Sequence, residues 1–184
     1  MSSPRAITLT TTVDSPVGPL TLTSNEGRLT GLHMAGQAHA PTDRAGWAKD
    51  AWAFREITDQ LTAYFAGELT EFNVDLDLAG TEFQRKVWGA LCEIPYGETW
   101  SYSQLAGKIG NSRACRAVGL ANGRNPVAII VPCHRVIGAS GSLVGYGGGL
   151  DRKALLLDHE RTVRSAAGST VRCLAGAAAT IVQS

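Results

Sequence analysis

The chain has 184 residues, 44% of them hydrophobic and 18% charged, with 17 Lys+Arg against 16 Asp+Glu. This composition can bury a core in one or two domains and excludes collagen, a coiled coil and wholesale disorder. The formal net charge of +1, taken whole, argues against a nucleic-acid binder, which ordinarily carries a basic surplus. No apolar run approaches the ~20 residues of a membrane span. The opening residues lack the apolar core of a signal peptide, so a cytoplasmic protein with no membrane partner is expected. The four cysteines, Cys92, Cys115, Cys133 and Cys173, are too few and too spread for a disulfide scaffold and are expected as thiols.

Residues 5–34 read as strands with turns. Ile7, Leu9, Thr11 and Val13 alternate, Asp14 to Pro19 turns the chain, Leu20 and Leu22 alternate again, and Asn25-Glu26-Gly27 leads into a strand from Leu29 to Met34. Residues 35–48 read as a surface loop. Asp50 to Ala66 places Phe54, Ile57, Leu61, Tyr64 and Phe65 on one helical face, and Gly67 can end that helix. Phe72, Val74, Leu76 and Leu78 alternate with polar residues, as a one-sided strand would. Residues 1–78 therefore read as a small α+β domain.

Helical signals take over after Gly80. Thr81-x-x-Gln84 and Ser101-x-x-Gln104 are capping boxes, the first opening a stripe of Phe83, Val87, Leu91 and Ile94. Pro95-Tyr96-Gly97 stops the first helix; the second runs through Ile109. Gly110-Asn111 turns, Ser112 can cap, and a third helix reaches Asn122 to Gly123. Two short helices around a glycine turn suggest a helix-turn-helix. Val127 to Val131 reads as extended, Ser140-Gly141 and Gly145 to Gly149 bracket a hairpin that would form a wing, and Asp151 can cap a last helix from Arg152 to about Glu160. The chain divides into domains at 1–78 and 79–163, with an appended tail at 164–184.

The even charge is an average. Residues 1–78 hold 5 Lys+Arg against 10 Asp+Glu, and residues 79–163 hold 10 against 6. Lys108, Arg113, Arg116, Arg124, Arg135, Arg152 and Lys153 face Asp151 alone between Ser101 and Lys153, which makes a plausible phosphate-binding face. The other sharp feature is Pro132-Cys133-His134-Arg135-Val136, directly after an apolar run. A lone cysteine there is ordinarily a small hydrophobe. Here proline stiffens the approach, a histidine follows at once, and basic surroundings favour thiolate. Glu160 is a candidate carboxylate partner for His134, and Asn125 could bridge the turn. His33, His39, His134 and His159 are scattered and no Cys-x-x-Cys or His-x-x-x-His spacing occurs, so no metal and no cofactor is expected.

With Pro132-Cys133-His134-Arg135-Val136 behind a helix-turn-helix, the chain resembles the methylated-DNA–protein-cysteine methyltransferases, or O6-alkylguanine-DNA alkyltransferases. The likeness spans about residues 12 to 163 and is strongest from Arg116 through Ile137, with Phe83-Gln84, Ile94 to Glu98, Ser101-Tyr102, Gly145 to Leu150 and Lys153 in the same order and spacing. The resemblance implies a ribonuclease-H-like first domain and a winged helix-turn-helix second domain carrying the site. It implies a single irreversible transfer of an alkyl group from the exocyclic oxygen of guanine in duplex DNA to Cys133, with thymine left open. In that scheme His134 is the base through a water, Glu160 orients it, Asn125 braces the turn, and Tyr102 serves guanine N3. The carbonyls of Cys133 and Val136 accept from the guanine amino group. Tyr146, Gly147, Gly148, Arg135 and Lys153 form or hold the pocket, with the Gly147 N–H facing the guanine oxygen. Arg116 fills the gap left by the extruded base. Ser101, Ala117, Gly119, Ala121, Asn122, Gly123 and Arg124 belong to the DNA-facing surface, where small residues permit close approach in the minor groove. A monomer is expected, with cooperative assembly on DNA allowed. The competing readings are a helix-turn-helix regulator or lesion sensor without chemistry, and a cysteine hydrolase built on Cys133 and His134.

Overall fold

A computed structural model describes residues 7–177, with side chains placed through residue 167. Expectations that fall on residues 5 and 6, on 178–184 or on the Cys173 side chain lie outside the described residues. The first half is a four-stranded sheet, β1 (Leu9–Val13), β2 (Leu20–Asn25), β3 (Arg28–Met34) and β4 (Ala48–Lys49), in the order β3-β2-β1-β4. The strands β1, β2 and β3 are antiparallel neighbours, and β4 runs parallel to β1. The loop expected over 35–48 thus ends in a two-residue edge strand. Helix α1 (Arg55–Ala66) follows a 3-10 turn at Trp52–Phe54 and closes on Gly67, whose φ of 77° meets the left-handed geometry that glycine accepts most cheaply. Buried Leu20, Leu22, Leu29, Leu32, Phe54, Leu61 and Tyr64 form this end of the core.

The segment Phe72 to Leu78 is not a regular strand. It makes one bridge, Leu76 to Leu29, with Leu29 N donating to Asp75 O and Asp77 N to Leu29 O, both at 2.9 Å. Further along the same β3 edge, Leu32 N donates to Pro126 O and Ala128 N to Leu32 O, both at 2.9 Å. An exposed sheet edge is a pairing hazard; here β3 is covered by two later stretches, and the second of them leads into Cys133.

The second half is helical. Both capping boxes form: Thr81 opens α2 (Glu82–Leu91) and Ser101 opens α3 (Tyr102–Lys108). The third helix, α4 (Cys115–Gly123), is preceded by Ala114, which makes no side-chain cap, so Ser112 does not serve as expected. Trp88 on α2 donates its indole N–H to Ala121 O at 2.9 Å and locks α4 in place from the buried side. Short strands β5 (Trp100–Ser101) and β6 (Val136–Ile137) pair in parallel and tie the start of α3 to the residues after Cys133. Two further expectations change. Residues 127–131 are a tight turn rather than a strand, and 138–149 form a turn-rich loop, closed by Gly138 N to Ser142 O at 2.9 Å, rather than a paired hairpin. The final helix, α5 (Leu150–Ala177), begins before Asp151, which lies in its first turn, and continues well past Glu160. No helix among the described residues is long and apolar enough to cross a membrane.

Candidate active site

The approach to Cys133 is a braced turn. Asn125 is buried and uses both ends of its amide: Oδ1 accepts from Val127 N at 3.0 Å, while Nδ2 donates to Val131 O at 2.7 Å and to Val127 O at 3.3 Å. Inside this brace Ile129 has a φ of 69°, a costly left-handed conformation for a β-branched residue. Pro132 sits at φ −83°, ψ 62°, the inverse γ-turn, and Cys133 N donates to Val131 O at 2.8 Å. The thiol emerges on a single 3-10 turn, Cys133–Arg135, and is 6% exposed. Burial pushes the thiol up from its ordinary value, against opposing help from Asn125, Lys153 and nearby backbone N–H groups. The basic surroundings therefore do not make a resting thiolate, because desolvation outweighs them. A base is needed.

His134 lies at full burial beside Glu160, with Nε2 2.9 Å from Glu160 Oε1. Glu160 also accepts from Arg135 Nη2 and Tyr64 Oη on Oε1, at 2.9 and 2.8 Å, and from Arg135 Nε and Gly97 N on Oε2, at 2.9 and 3.1 Å. Burial opposes ionisation of the carboxyl, but the hydrogen bonds of His134 and Arg135 and the charge of Arg135 hold it well below the usual carboxylate range. Burial lowers His134, so the imidazole is neutral, with the hydrogen bond and charge of Glu160 pulling the other way. An ionised carboxylate can only accept, so Nε2 carries the proton and Nδ1 presents a lone pair. Nδ1 is buried and has no hydrogen-bond partner among the described residues. Gly97 can approach this closely because it is a glycine. Its φ is 71°, and a Cβ there would lie 3.1 Å from Glu160 O and 3.0 Å from Arg164 Cδ.

Around the thiol, Tyr102 is half-buried and directs its hydroxyl at Gly145 O and Val144 O, at 3.2 and 3.3 Å. Lys153 is buried and donates to Val136 O at 2.5 Å and Val144 O at 2.7 Å. Burial lowers its ammonium to about 8. Lys153 thereby ties the Val144 loop to β6. On the other side of that loop, Ala38 N donates to Gly147 O at 2.9 Å, and Tyr146 Oη rests 3.8 Å from Met34 Sδ. Gly148 is pinched, since a Cβ there would meet Met34 Sδ at 2.7 Å and Tyr146 Cε1 at 2.8 Å. A buried thiol, a neutral imidazole with a free lone pair and a fully paired carboxylate are thus assembled from two stretches of chain, the Cys133–Arg135 turn and α5.

Known proteins resemble this chain over most of its length. The family model for the 6-O-methylguanine DNA methyltransferase ribonuclease-like domain matches residues 8–78, and the model for the DNA-binding domain of the same family matches 82–162. The chain belongs to the methylated-DNA–protein-cysteine methyltransferase family. A relative of that name from Mycobacterium tuberculosis is 61% identical over 151 residues, covering 82% of this chain and 91% of the relative. One from Methanosarcina acetivorans is 54% identical over 148 residues, covering 80% and 94%. The crystal structure of Mycobacterium tuberculosis OGT in complex with DNA superposes with a TM-score of 0.80 at 59% identity, over 84% of this chain and 94% of that one.

Within this methyltransferase fold the residues singled out from the sequence fall into three groups. The structure brings together Cys133, His134, Glu160, Asn125, Lys153, Tyr102 and Tyr146: the thiol interacts with Asn125, Lys153, Tyr102 and Tyr146, and His134 meets Glu160. Arg135 lines a groove with Cys92, Tyr96, Ile130 and Pro132, and its guanidinium is spent on Glu160 and on Ile94 O, 5.5 Å from the Tyr96 ring centroid. The Val136 carbonyl is taken up by Lys153, and the Cys133 carbonyl already accepts from Val136 N and, at 3.4 Å, from Asn122 Nδ2. On α4, Arg116 and Ala117 are exposed and Gly119 and Gly123 partly so, with Arg124 exposed just beyond the helix. Ala121 and Asn122 instead turn inward with Val118, because positions three and four apart share a helical face. Ser101 spends its hydroxyl on the cap of α3. No cluster of metal-ligating side chains occurs among the described residues. Three participants were missed by sequence reasoning: Tyr64, the Gly97 N–H, and Arg152, which donates to Ala35 O at 2.7 Å and Gly148 O at 3.2 Å. Only Tyr64 left a signal, because a tyrosine on an apolar helix face needs a partner for its hydroxyl.

Proposed function

We propose that this protein repairs DNA by moving an alkyl group from O6 of guanine to Cys133, once per molecule. The single observation that carries the reading is the buried thiol beside a neutral histidine whose only paired nitrogen faces an ionised glutamate. His134 Nδ1 takes the thiol proton through a water; sulfur attacks the alkyl carbon in line, the S–C bond forms and the C–O bond breaks. The bonding pair stays on the guanine oxygen, and Tyr102 supports the departing base by donating at N3. In the balance the thiol hydrogen and the alkyl group exchange places. The product is a thioether, which no thiol reductant reverses.

The target base must leave the stack to reach a thiol this buried. The exposed arginines of the α4 region suit the phosphate backbone, and Arg116 is the side chain to fill the vacated space. The guanine amino group would compete with Asn122 for the Cys133 carbonyl, and the Gly147 N–H would face the guanine oxygen. The reading includes a monomer acting in the cytoplasm, where thiols stay reduced, without a cofactor, and a division of the chain at 1–78, 79–163 and 164–184. Incubation with a duplex containing O6-methylguanine should leave one methyl group per protein on the peptide bearing Cys133, measured by mass. Cys133→Ala should transfer none and still bind the duplex. Zero transfer by the intact protein, or many turnovers per molecule, refutes the proposal.

A further inference from the structure

Tyr64 belongs to α1, in the sheet-bearing half of the chain, yet its hydroxyl donates at 2.8 Å to Glu160 Oε1, the oxygen that faces His134 Nε2 at 2.9 Å. The side chain is fully buried. Its ring packs against Phe65, Phe72, Tyr96 and His159, with centroids 5.1 to 6.0 Å away. Those contacts leave the hydroxyl one place to go. We infer that Tyr64 is a positioning residue for alkyl transfer: it aims Glu160 at His134 and, by taking a share of the carboxylate charge, limits the basicity of the imidazole. The inference rests on the reaction proposed above, in which His134 accepts the thiol proton.

The physical argument is a division of one charge among several donors. Oε1 serves Tyr64, Arg135 Nη2 and His134; Oε2 serves Arg135 Nε and Gly97 N. Arg135 neutralises the carboxylate as a whole, and the Tyr64 hydroxyl competes for the oxygen that His134 also uses. The hydroxyl stays a donor, since burial and the adjacent Glu160 push its own ionisation far up. Without it, Oε1 turns more of its charge to the imidazole N–H and stabilises the imidazolium. The other groups facing the cluster would stay in place: Arg135 on the same turn as His134, Lys153 on α5, and Tyr96 before β5. His159, also on α5, has its Nε2 2.7 Å from the Tyr64 carbonyl and not from the carboxylate.

The test is the pH dependence of Cys133 alkylation, read by mass on its own peptide, with two reagents. O6-benzylguanine reports the transfer reaction, and iodoacetamide reports the assisted thiol whether or not the protein repairs DNA. In Tyr64→Phe the acid limb should move to higher pH by about 0.5 unit or more with either reagent. Site-specific 3-fluorotyrosine at position 64, a stronger donor that keeps the hydroxyl, should move it to lower pH. A purely structural role would lower the unfolding temperature of Tyr64→Phe and leave both limbs where they are; unmoved limbs, or shifts of the opposite sign, overturn the inference. Failure of the intact protein to react with O6-benzylguanine would instead count against the proposed function, while the iodoacetamide profiles would still decide the role of Tyr64.

Discussion

Replacing Glu160 by Gln tests the whole carboxylate cluster. The carboxylate accepts from five donors at full burial. An amide offers one accepting oxygen and one NH2. In one orientation the NH2 faces Arg135 Nε–H and Gly97 N–H; in the other it faces Tyr64, Arg135 and His134. Arg135 cannot shed its proton, and its side chain is 9% exposed. Breaking a buried pair by removing one partner costs ~3–5 kcal/mol. Arg135 keeps Ile94 O at 2.7 Å and the Tyr96 ring, which puts the loss of the pair near the lower end of that range. The unavoidable donor–donor contact adds ~1 kcal/mol, for a total of ~4 kcal/mol. Urea unfolding at pH 7 should show this as a lower midpoint with an unchanged slope. The melting temperature should fall by ~10 °C for a chain of this size. Adding Arg135→Met removes the stranded charge and should return ~1–2 kcal/mol. A loss below ~1 kcal/mol, or a double variant no more stable than the single one, would show that the ion pair does not carry the energy assigned to it.

Other outcomes follow from the same geometry. Asn125→Ala orphans the Val127 N–H and removes two donations to carbonyls, so it should cost ~2–4 kcal/mol and slow alkylation of Cys133, measured by denaturant unfolding beside O6-benzylguanine kinetics. Arg116→Ala should slow repair in a duplex while leaving the rate with free O6-benzylguanine nearly unchanged; equal losses on both would remove the side chain from its proposed place in the helix gap. Melting temperature should fall as pH drops below ~6.5, because the unfolded chain protonates His134 while the folded one resists. It should fall further below ~4.3, as protons taken up by the unfolded carboxyl erase the stability that the depressed Glu160 supplies at higher pH. A melting temperature flat from pH 7 to pH 5 would mean that His134 is not held neutral.

The sequence patterns that specify their own hydrogen bonds were the ones that read correctly. Thr81-x-x-Gln84 and Ser101-x-x-Gln104 each contain both halves of a capping box, and each opens a helix as written. Gly67 ends α1, and the strands read around Leu9 to Val13 and from Leu20 form as β1 and β2. Phe72 to Leu78 and Val127 to Val131 misled because alternation or apolarity says that a segment is half-buried, not that it has a strand to pair with; each makes a single bridge to β3. The site was legible where chemistry demanded a residue type, as at Cys133 and His134, and opaque where it depended on burial. Arg135 sits beside the thiol in sequence, but nothing in the sequence shows that the 3-10 turn brings its guanidinium onto Glu160. The high thiol pKa was hidden too, since charge can be counted along a chain and desolvation cannot.

The charge count also understated the acidic first half, which looked like a bystander to a basic DNA-facing half. Contacts from Leu32, Ala35, Ala38 and Tyr64 end on the parts that hold the thiol. Leu32 pairs with Pro126 and Ala128 at the head of the turn leading to Cys133. Ala38 N holds Gly147, and the Ala35 carbonyl holds Arg152, so the loop bearing Tyr146 is fastened from the sheet side. Tyr64 reaches Glu160. None of these contacts uses an acidic side chain of that half, so its negative charge and its support of the site are separable. Neutralising exposed Asp43 or Glu56 should then alter DNA affinity only through long-range, salt-screened attraction, while removing the Tyr64 hydroxyl should alter the chemistry and leave affinity alone. A first half that acted only as a charged spacer would give the reverse pattern.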